Sequence, residues 1–332
     1  MNESLTSLAR FLLENDNYAI GIHQNPDGDC FGSACGLCAV LEKFDKKACI
    51  VSPSIVPERL LFLNYSNVKV LCEQEEYAKY ADTFKTHITI DTASGHLLGN
   101  LSDAFEEKLN FAIDHHQNNT LCTPRLYLES DASSTGEIIY KLIKELEEWT
   151  DKHLLDQKVA SSVFGAISSD TGCFKYSNVT PDTHIIASEL IKIGAFAEDI
   201  NYRLFDLKSR LQIEVESLAY KKLEFFCDGK IAFIYISPDD LKNIGASTSD
   251  TETVSQLGRA ISGVEISVFM RQQEENKYKI SVRSNNDYDM SVLCSSFGIG
   301  GGHKKAAGCT IIADSPEIAK DAFIEKAKNY LN

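Results

Sequence analysis

Basic charge is scarce in this chain. Its 332 residues include 33 Lys and Arg against 48 Asp and Glu, a net charge of −15. Gripping long nucleic acid requires many phosphates to be neutralised by basic side chains, so the balance argues against that class of protein. A short, phosphate-bearing ligand held by metals and a few local donors stays compatible. Long apolar runs are also missing, since none approaches the roughly 18 residues that span a bilayer. The first 18 residues lack a basic start followed by an apolar stretch and a small-residue cleavage site, so no secretory leader is expected. There is no internal repeat and no low-complexity tract. The ten cysteines are scattered through a long acidic chain, which suits the reduced thiols of a cytoplasm. Cys35-Gly-Leu-Cys38 is the one C-x-x-C, and no second pair completes a four-thiolate zinc site. It falls in an apolar, small-residue stretch, 33–41, and reads as core packing.

What is present is enough for packed cores, with 43% of residues apolar and 24% charged. The length suits two domains. In the first half, short apolar runs alternate with helical patterns. Strands are expected at 18–22, 48–51, 68–71, 87–90 and 110–113, with helix-like segments between them, one starting at Ser33 and one over 76–81. This alternation indicates an α/β domain with a mainly parallel sheet. From Ser134 the pattern turns helical. Ser134-Thr-Gly-Glu137 reads as a capping box before Ile138, Ile139, Leu142, Ile143 and Leu146, a face of helical period. Further helices are expected over about 154–168, after Pro181 as far as Gly194, and within 197–223. A second unit opens with strands at 230–236, 264–270 and 277–283, and closes with a helix over 316–331.

Several reactive side chains follow directly on expected strands. His23-Gln-Asn-Pro-Asp27-Gly-Asp29 follows the first strand, Asp91 the fourth, and Asp114-His115-His116 the fifth. In an open parallel sheet the carboxyl ends of the strands line one edge, where ligands bind. Asp170, at the end of the second helix, could reach the same rim. A single Asp after a strand is ordinarily a cap or turn residue. Convergence of four segments points instead to a metal site. Four carboxylates would repel one another, and two divalent cations would neutralise them. Oxygen-rich coordination with His23 and His115 suits Mn²⁺ or a similar borderline metal, and two such ions can activate water at phosphorus. In the second unit, Gly300-Gly-Gly302-His303 lets backbone N–H groups approach an anion, with Lys304 and Lys305 raising the local potential. Arg283 is a bidentate phosphate candidate or a solvated strand-end charge.

On these residues the sequence resembles the DHH–DHHA1 phosphoesterases, and most closely their stand-alone bacterial members, the nanoRNase/pAp phosphatases. The segment from His23 to Asp29 with Gly32 and Ser33, Asp91-Thr92, the triplet Asp114-His115-His116, and Asp170-Thr-Gly172 with Phe174 and Thr180 carry the likeness in the first half. Val282-Arg283-Ser284 and the stretch 300–308 carry it in the second, where Ile299 stands in place of an expected glycine. The resemblance implies an N-terminal DHH domain over 1–190 with its sheet flanked by helices, a helical linker over 191–225, and a smaller α/β DHHA1 domain over 226–332. It implies one Mn²⁺ held by His23, Asp27 and Asp91, and another by Asp29, Asp91, His115 and Asp170. Asp114 would orient its neighbours and His116 would face the scissile phosphate. Arg283, Ser284, Gly301, Gly302 and His303 would grip a substrate phosphate, placing the active site between the domains.

The implied reaction is metal-dependent hydrolysis of short oligoribonucleotides to mononucleotides, and of 3′-phosphoadenosine 5′-phosphate (pAp) to AMP. The same motifs serve a cyclic di-AMP or pApA phosphodiesterase. A nucleotide-binding regulator without turnover is the reading from another class. A RecJ-like single-strand exonuclease would need more length and a basic strand channel. The expected partners are small nucleotides rather than long duplexes or membranes, with a homodimer left open.

Overall fold

The computed structural model describes residues 2–331, and of His303 the main chain alone. The chain divides after Leu207 into two compact units.

The first unit opens with α1 (Leu5–Glu14), β1 (Tyr18–Gly21), α2 (Gly28–Glu42), β2 (Ala48–Ser52) and β3 (Val70–Cys72). There follow α3 (Gln74–Ala78), β4 (Thr86–Ile90), α4 (Ser102–Glu106), β5 (Leu109–Asp114) and β6 (Leu126–Leu128). Helices α5 (Thr135–Thr150), α6 (Gln157–Asp170), α7 (Pro181–Ile193) and α8 (Ala197–Asn201) complete it, with one π-helical turn at Tyr202–Asp206. The six strands form one sheet in the order β3-β2-β1-β4-β5-β6, parallel throughout. Alternate strand residues serve two cores. Ile20, Ile50, Ile88, Ile90, Phe111 and Ile113 pack under α1, α2, α5 and α6. Ala19, Cys49, Val51, Leu71 and Ala112 pack under Tyr77, Leu98, Leu101 and Phe105. Burial on both faces explains why the strands read as continuous apolar runs rather than as alternation.

Helix α2 begins at Gly28, five residues before the expected start at Ser33. Asp27 is its N-cap, accepting from the Cys30 N–H at 3.0 Å. Its early residues Gly-Asp-Cys-Phe-Gly are poor helix formers, and the helix forms because every residue from Gly28 to Leu41 is buried. Cys35 and Cys38 are fully enclosed, as core packing requires. Close packing against α6 depends on Gly32, where a Cβ would lie 2.7 Å from the Ser162 carbonyl oxygen. The expected capping box at α5 is half formed. Ser134 accepts from the Glu137 N–H at 3.1 Å, but the Glu137 carboxylate turns to Ser133 and Lys141.

The second unit contains α9 (Arg210–Lys221), β7 (Leu223–Phe226), β8 (Ile231–Ile236), α10 (Pro238–Asn243) and α11 (Val254–Leu257). β9 (Ile266–Glu274) and β10 (Lys277–Ser284) form a hairpin, followed by α12 (Met290–Ser295), β11 (Gly300–His303), β12 (Ala306–Ile312) and α13 (Pro316–Leu331). Its sheet runs β11-β12-β10-β9-β8-β7, antiparallel except for the β8–β9 pair. The glycine run expected as a loop is thus strand β11, paired with β12. Phe323, Ala319 and Ile324 of α13 cover one face with Val268, Ile280 and Val282, and Val215 and Ala219 of α9 cover part of the other with Ile234 and Phe269. Among the described residues no helix is long and apolar enough to cross a membrane.

Candidate metal centre

The strand order reverses between β1 and β4, and the reactive side chains gather at the carboxyl ends of these strands and of β5. His23 stands just beyond β1, Asp27 and Asp29 at the start of α2, and Asp91 directly after β4. Asp114 ends β5, followed by His115 and His116, and Asp170 is the last residue of α6. Asp91 takes a left-handed backbone, φ +54°, tied by its N–H to the Ile113 carbonyl at 2.9 Å.

The two imidazoles are aimed by their outer nitrogens. His23 Nδ1 lies 2.9 Å from the Gln24 carbonyl oxygen, and His115 Nδ1 lies 3.3 Å from that of Ala132. Each Nδ1 therefore carries a proton to donate, so the neutral ring presents its lone pair at Nε2. His23 Nε2 faces Asp27 Oδ1 at 3.9 Å and Asp91 Oδ2 at 3.8 Å. His115 Nε2 faces Asp91 Oδ1 at 3.6 Å, Asp170 Oδ2 at 3.8 Å and Asp29 Oδ2 at 3.9 Å. These gaps are too wide for hydrogen bonds. They are close to the ~3.4 Å between two ligand atoms that share one cation tetrahedrally at ~2.1 Å. Lone pairs set opposite carboxylates repel unless positive charge lies between them. The donor set fits divalent cations.

Proton affinities agree with that strain. Burial, followed by the charges of Asp91, Asp170 and Asp27, raises the Asp29 carboxyl well above its ordinary range. Burial likewise raises Asp91, with Asp27 adding to it against the pull of the three histidines. Asp170 is raised to about 6, first by burial. Asp29 is held nonetheless, accepting from the N–H groups of Thr135 and Gly136 at 2.8 Å and from Ser33 Oγ at 3.0 Å. Thr135 also donates its hydroxyl to Asp91 Oδ1 at 2.9 Å.

Asp114 and His116 form a separate pair. Their Oδ1 and Nδ1 are 2.8 Å apart, and Asn119 donates to Asp114 Oδ2 at 2.5 Å. Burial opposes charge on His116, but Asp114's hydrogen bond and the charge of Asp91 lift it to about 9. Burial alone would raise Asp114, yet the bonds from His116 and Asn119 hold it below its ordinary range. His116 Nδ1 also lies 3.5 Å from Asp91 Oδ1.

Sequence reasoning missed four residues here. Thr135 and Asn119 bind the carboxylates, and Asn178 donates to Asp170 Oδ2 at 3.2 Å. Cys30 places its thiol within ligand range of His23 and Asp91. Only Cys30 carried a signal, its position one residue after Asp29. Behind Asp170, Gly172, Cys173 and Phe174 are three successive left-handed residues with φ of +55°, +59° and +60°. The N–H of Cys173 to the Ser168 carbonyl (2.8 Å) and of Phe174 to Thr171 Oγ1 (3.1 Å) hold this turn.

In the second unit, Arg283 is the penultimate residue of β10 and donates from Nη1 to the Val282 carbonyl at 3.0 Å. Ser284 is buried, its hydroxyl donating to the Asn286 and Tyr288 carbonyls. It therefore shapes the turn beside Arg283. A Cβ on Gly301 would meet nothing within 4 Å, whereas Gly302, at φ +137°, is pressed against the Ala306 carbonyl. The side chain of His303 lies outside the described residues.

A model of the DHH family N-terminal domain matches residues 17–167, and one of the DHHA1 domain matches residues 228–332. The bifunctional oligoribonuclease and PAP phosphatase NrnA of Bacillus subtilis (strain 168) is 29% identical over 307 residues, 92% of this chain and 93% of the relative. The protein of the same name from Thermus thermophilus is 28% identical over 320 residues, 94% and 89% of the two chains. Among solved structures, an exopolyphosphatase-related protein from Bacteroides fragilis matches with a TM-score of 0.89 at 23% identity, covering 98% of this chain and 96% of that one. Exonuclease RecJ bound to manganese matches with a TM-score of 0.53 at 13% identity, covering 99% and 94%. At these identities the two structures speak for the fold.

Proposed function

The chain belongs to the DHH–DHHA1 phosphoesterases, and from that premise we propose that it hydrolyses short oligoribonucleotides to mononucleotides and pAp to AMP. Curated relatives that align over nearly their whole length are named for these two activities. The observation that carries the reading is the pair of imidazoles whose Nδ1 protons are committed to carbonyls while both Nε2 atoms face carboxylates.

In this reading His23, Asp27 and Asp91 hold one cation, and Asp29, Asp91, His115 and Asp170 hold a second. Manganese suits the mixed oxygen and imidazole donors. Such a pair supplies an activated water and charge stabilisation at phosphorus. The protein's own part is positional. Thr135 and the first amides of α5 fix Asp29 and Asp91. His116, charged by Asp114, stabilises negative charge on the phosphate and gives its Nε2 proton to the departing oxygen. Arg283 with the Gly301–Gly302 backbone holds a further substrate phosphate, and the buried Ser284 keeps Arg283 in place. All ten cysteines are unpaired, which supports a reducing, cytoplasmic setting.

The test is a time-resolved panel of pAp, diadenylate, longer oligoribonucleotides, pApA and cyclic di-AMP. It is run after chelator treatment and after Mn²⁺ is restored. Mn²⁺-dependent mononucleotide release from diadenylate and AMP release from pAp are expected. Turnover confined to cyclic di-AMP or pApA, or no metal-dependent product, would overturn the proposal.

A further inference from the structure

The donor atoms of His23, Asp91 and Cys30 all lie within 4.8 Å of one another. Cys30 is fully buried in the first turn of α2, its sulfur 3.9 Å from the Ile90 carbonyl oxygen and within reach of the His23 main-chain N–H. Its own N–H fixes Asp27 by donating to Oδ1 at 3.0 Å, and that oxygen is 3.9 Å from His23 Nε2. One imidazole nitrogen, one carboxylate and one thiol therefore converge, with the Asp27 carboxylate beside the imidazole. A buried cysteine ordinarily serves as a small apolar filler. Cys35 and Cys38 do so further along the same helix, and neither belongs to a group of ligand atoms among the described residues. Cys30 belongs to the same apolar core, but unlike those two it also places its sulfur beside the ligand atoms of His23 and Asp91.

We propose that Cys30 is a further, soft ligand of the cation site built by His23, Asp27 and Asp91, and that it makes this site select thiophilic divalent ions. Thiolate sulfur prefers Zn²⁺, Cd²⁺ and Co²⁺, whereas Mn²⁺ is served by oxygen and imidazole. With Mn²⁺ the thiol is a bystander. With Zn²⁺ the sulfur–metal bond forms as the thiol proton leaves to water, and nothing is oxidised or reduced. The same four side chains thus give two coordination sets, chosen by the ion.

The inference rests on reading the cradle as a metal centre, and the two are separable by experiment. The full chain is stripped with chelator and reloaded with one metal at a time. Zinc X-ray absorption on the wild-type protein should report a sulfur neighbour at about 2.3 Å beside the shorter nitrogen and oxygen bonds. Loading with Co²⁺ should give sulfur-to-cobalt charge-transfer absorption in the near ultraviolet, lost in Cys30→Ser and Cys30→Ala and kept in Cys35→Ser. Losing the ligand should lower Zn²⁺ affinity in Cys30→Ala by more than the roughly 10–100-fold that removal of an outer-shell partner costs. Mn²⁺ affinity should not change. The wild-type absorption measurement decides the matter even if a variant fails to fold. Zn²⁺ bound through nitrogen and oxygen alone would overturn this inference and leave the metal centre standing. Failure to bind any divalent ion would overturn both.

Discussion

Gly32→Ala tests whether the spacing of two helices sets the metal cradle. The added Cβ would lie 2.7 Å from the Ser162 carbonyl oxygen, 3.1 Å from the Ala166 nitrogen and 3.2 Å from the Ala166 Cβ. The first two are main-chain atoms of α6, so no side chain can turn aside. Closest carbon–oxygen contacts are ~3.3 Å, so the helices must part by roughly 0.6 Å at this point. Overpacking of this kind costs about 1–3 kcal/mol, and replacing a helical glycine by alanine returns at most about 1. A net loss of about 1–2 kcal/mol in a unit of this size lowers the melting temperature by about 2–8 °C. Parting α2 from α6 also shifts Asp29 against Asp170, so cation uptake should weaken. Thermal unfolding in chelator and in Mn²⁺, with calorimetric titration of the metal, measures both effects. Gly36→Ala is the comparison, since its Cβ would meet the Val163 Cγ2 at 2.9 Å, a side-chain atom that can shift without moving the helix backbone. If Gly32→Ala were as stable as wild type, or less harmful than Gly36→Ala with normal metal uptake, the spacing argument would be refuted.

Three further outcomes are expected. Burial holds the His87 imidazole down to about 4, beside Tyr77 Oη at 2.9 Å, while an unfolded chain titrates near 6.5. Its contribution is thus complete above pH 6.5 and lost as pH falls towards 4, by up to about 3 kcal/mol. Urea midpoints should therefore drop further in wild type than in His87→Gln between pH 7.5 and 4.5, and parallel curves would count against it. Asp170→Asn removes one of the mutually repelling carboxylates. Melting should show it at least as stable as wild type in chelator but without the wild-type gain on adding Mn²⁺, and an undiminished gain would remove Asp170 from the ligand set. Arg283→Ala should raise KM for pAp about 10–100-fold, as loss of a charged hydrogen bond worth roughly 1.5–3 kcal/mol implies, with kcat little changed. Steady-state kinetics with an unaltered KM would exclude Arg283 from substrate binding.

Much of the first unit was legible because burial on both sheet faces concentrates apolar residues in short runs that helices interrupt. Asp91 and Asp114 could be placed on the rim because each stands where such a run stops. The start of α2 was not legible. Glycine and aspartate signal a turn locally, and only the tertiary enclosure of this helix overrides them. Glu137 read as half of a capping box because Ser133 and Lys141, which outcompete the Ser134 N–H for its carboxylate, have no signature in spacing. β11 was hidden because three glycines provide no side-chain alternation, and its pairing with β12 is what makes it a strand. The lone pairs of His23 and His115 were beyond reach, since they depend on the carbonyls of Gln24 and Ala132.

The left-handed turn behind Asp170 has a consequence for durability. A residue with a side chain gives up roughly 1–2 kcal/mol in that conformation, so Cys173 and Phe174 keep some 2–4 kcal/mol of tension in the loop. Cys173→Gly would release part of it. Heat tolerance could therefore be improved within three residues of a carboxylate whose aim the tension helps to hold. Selection for endurance and selection for turnover would pull this short stretch of chain in opposite directions.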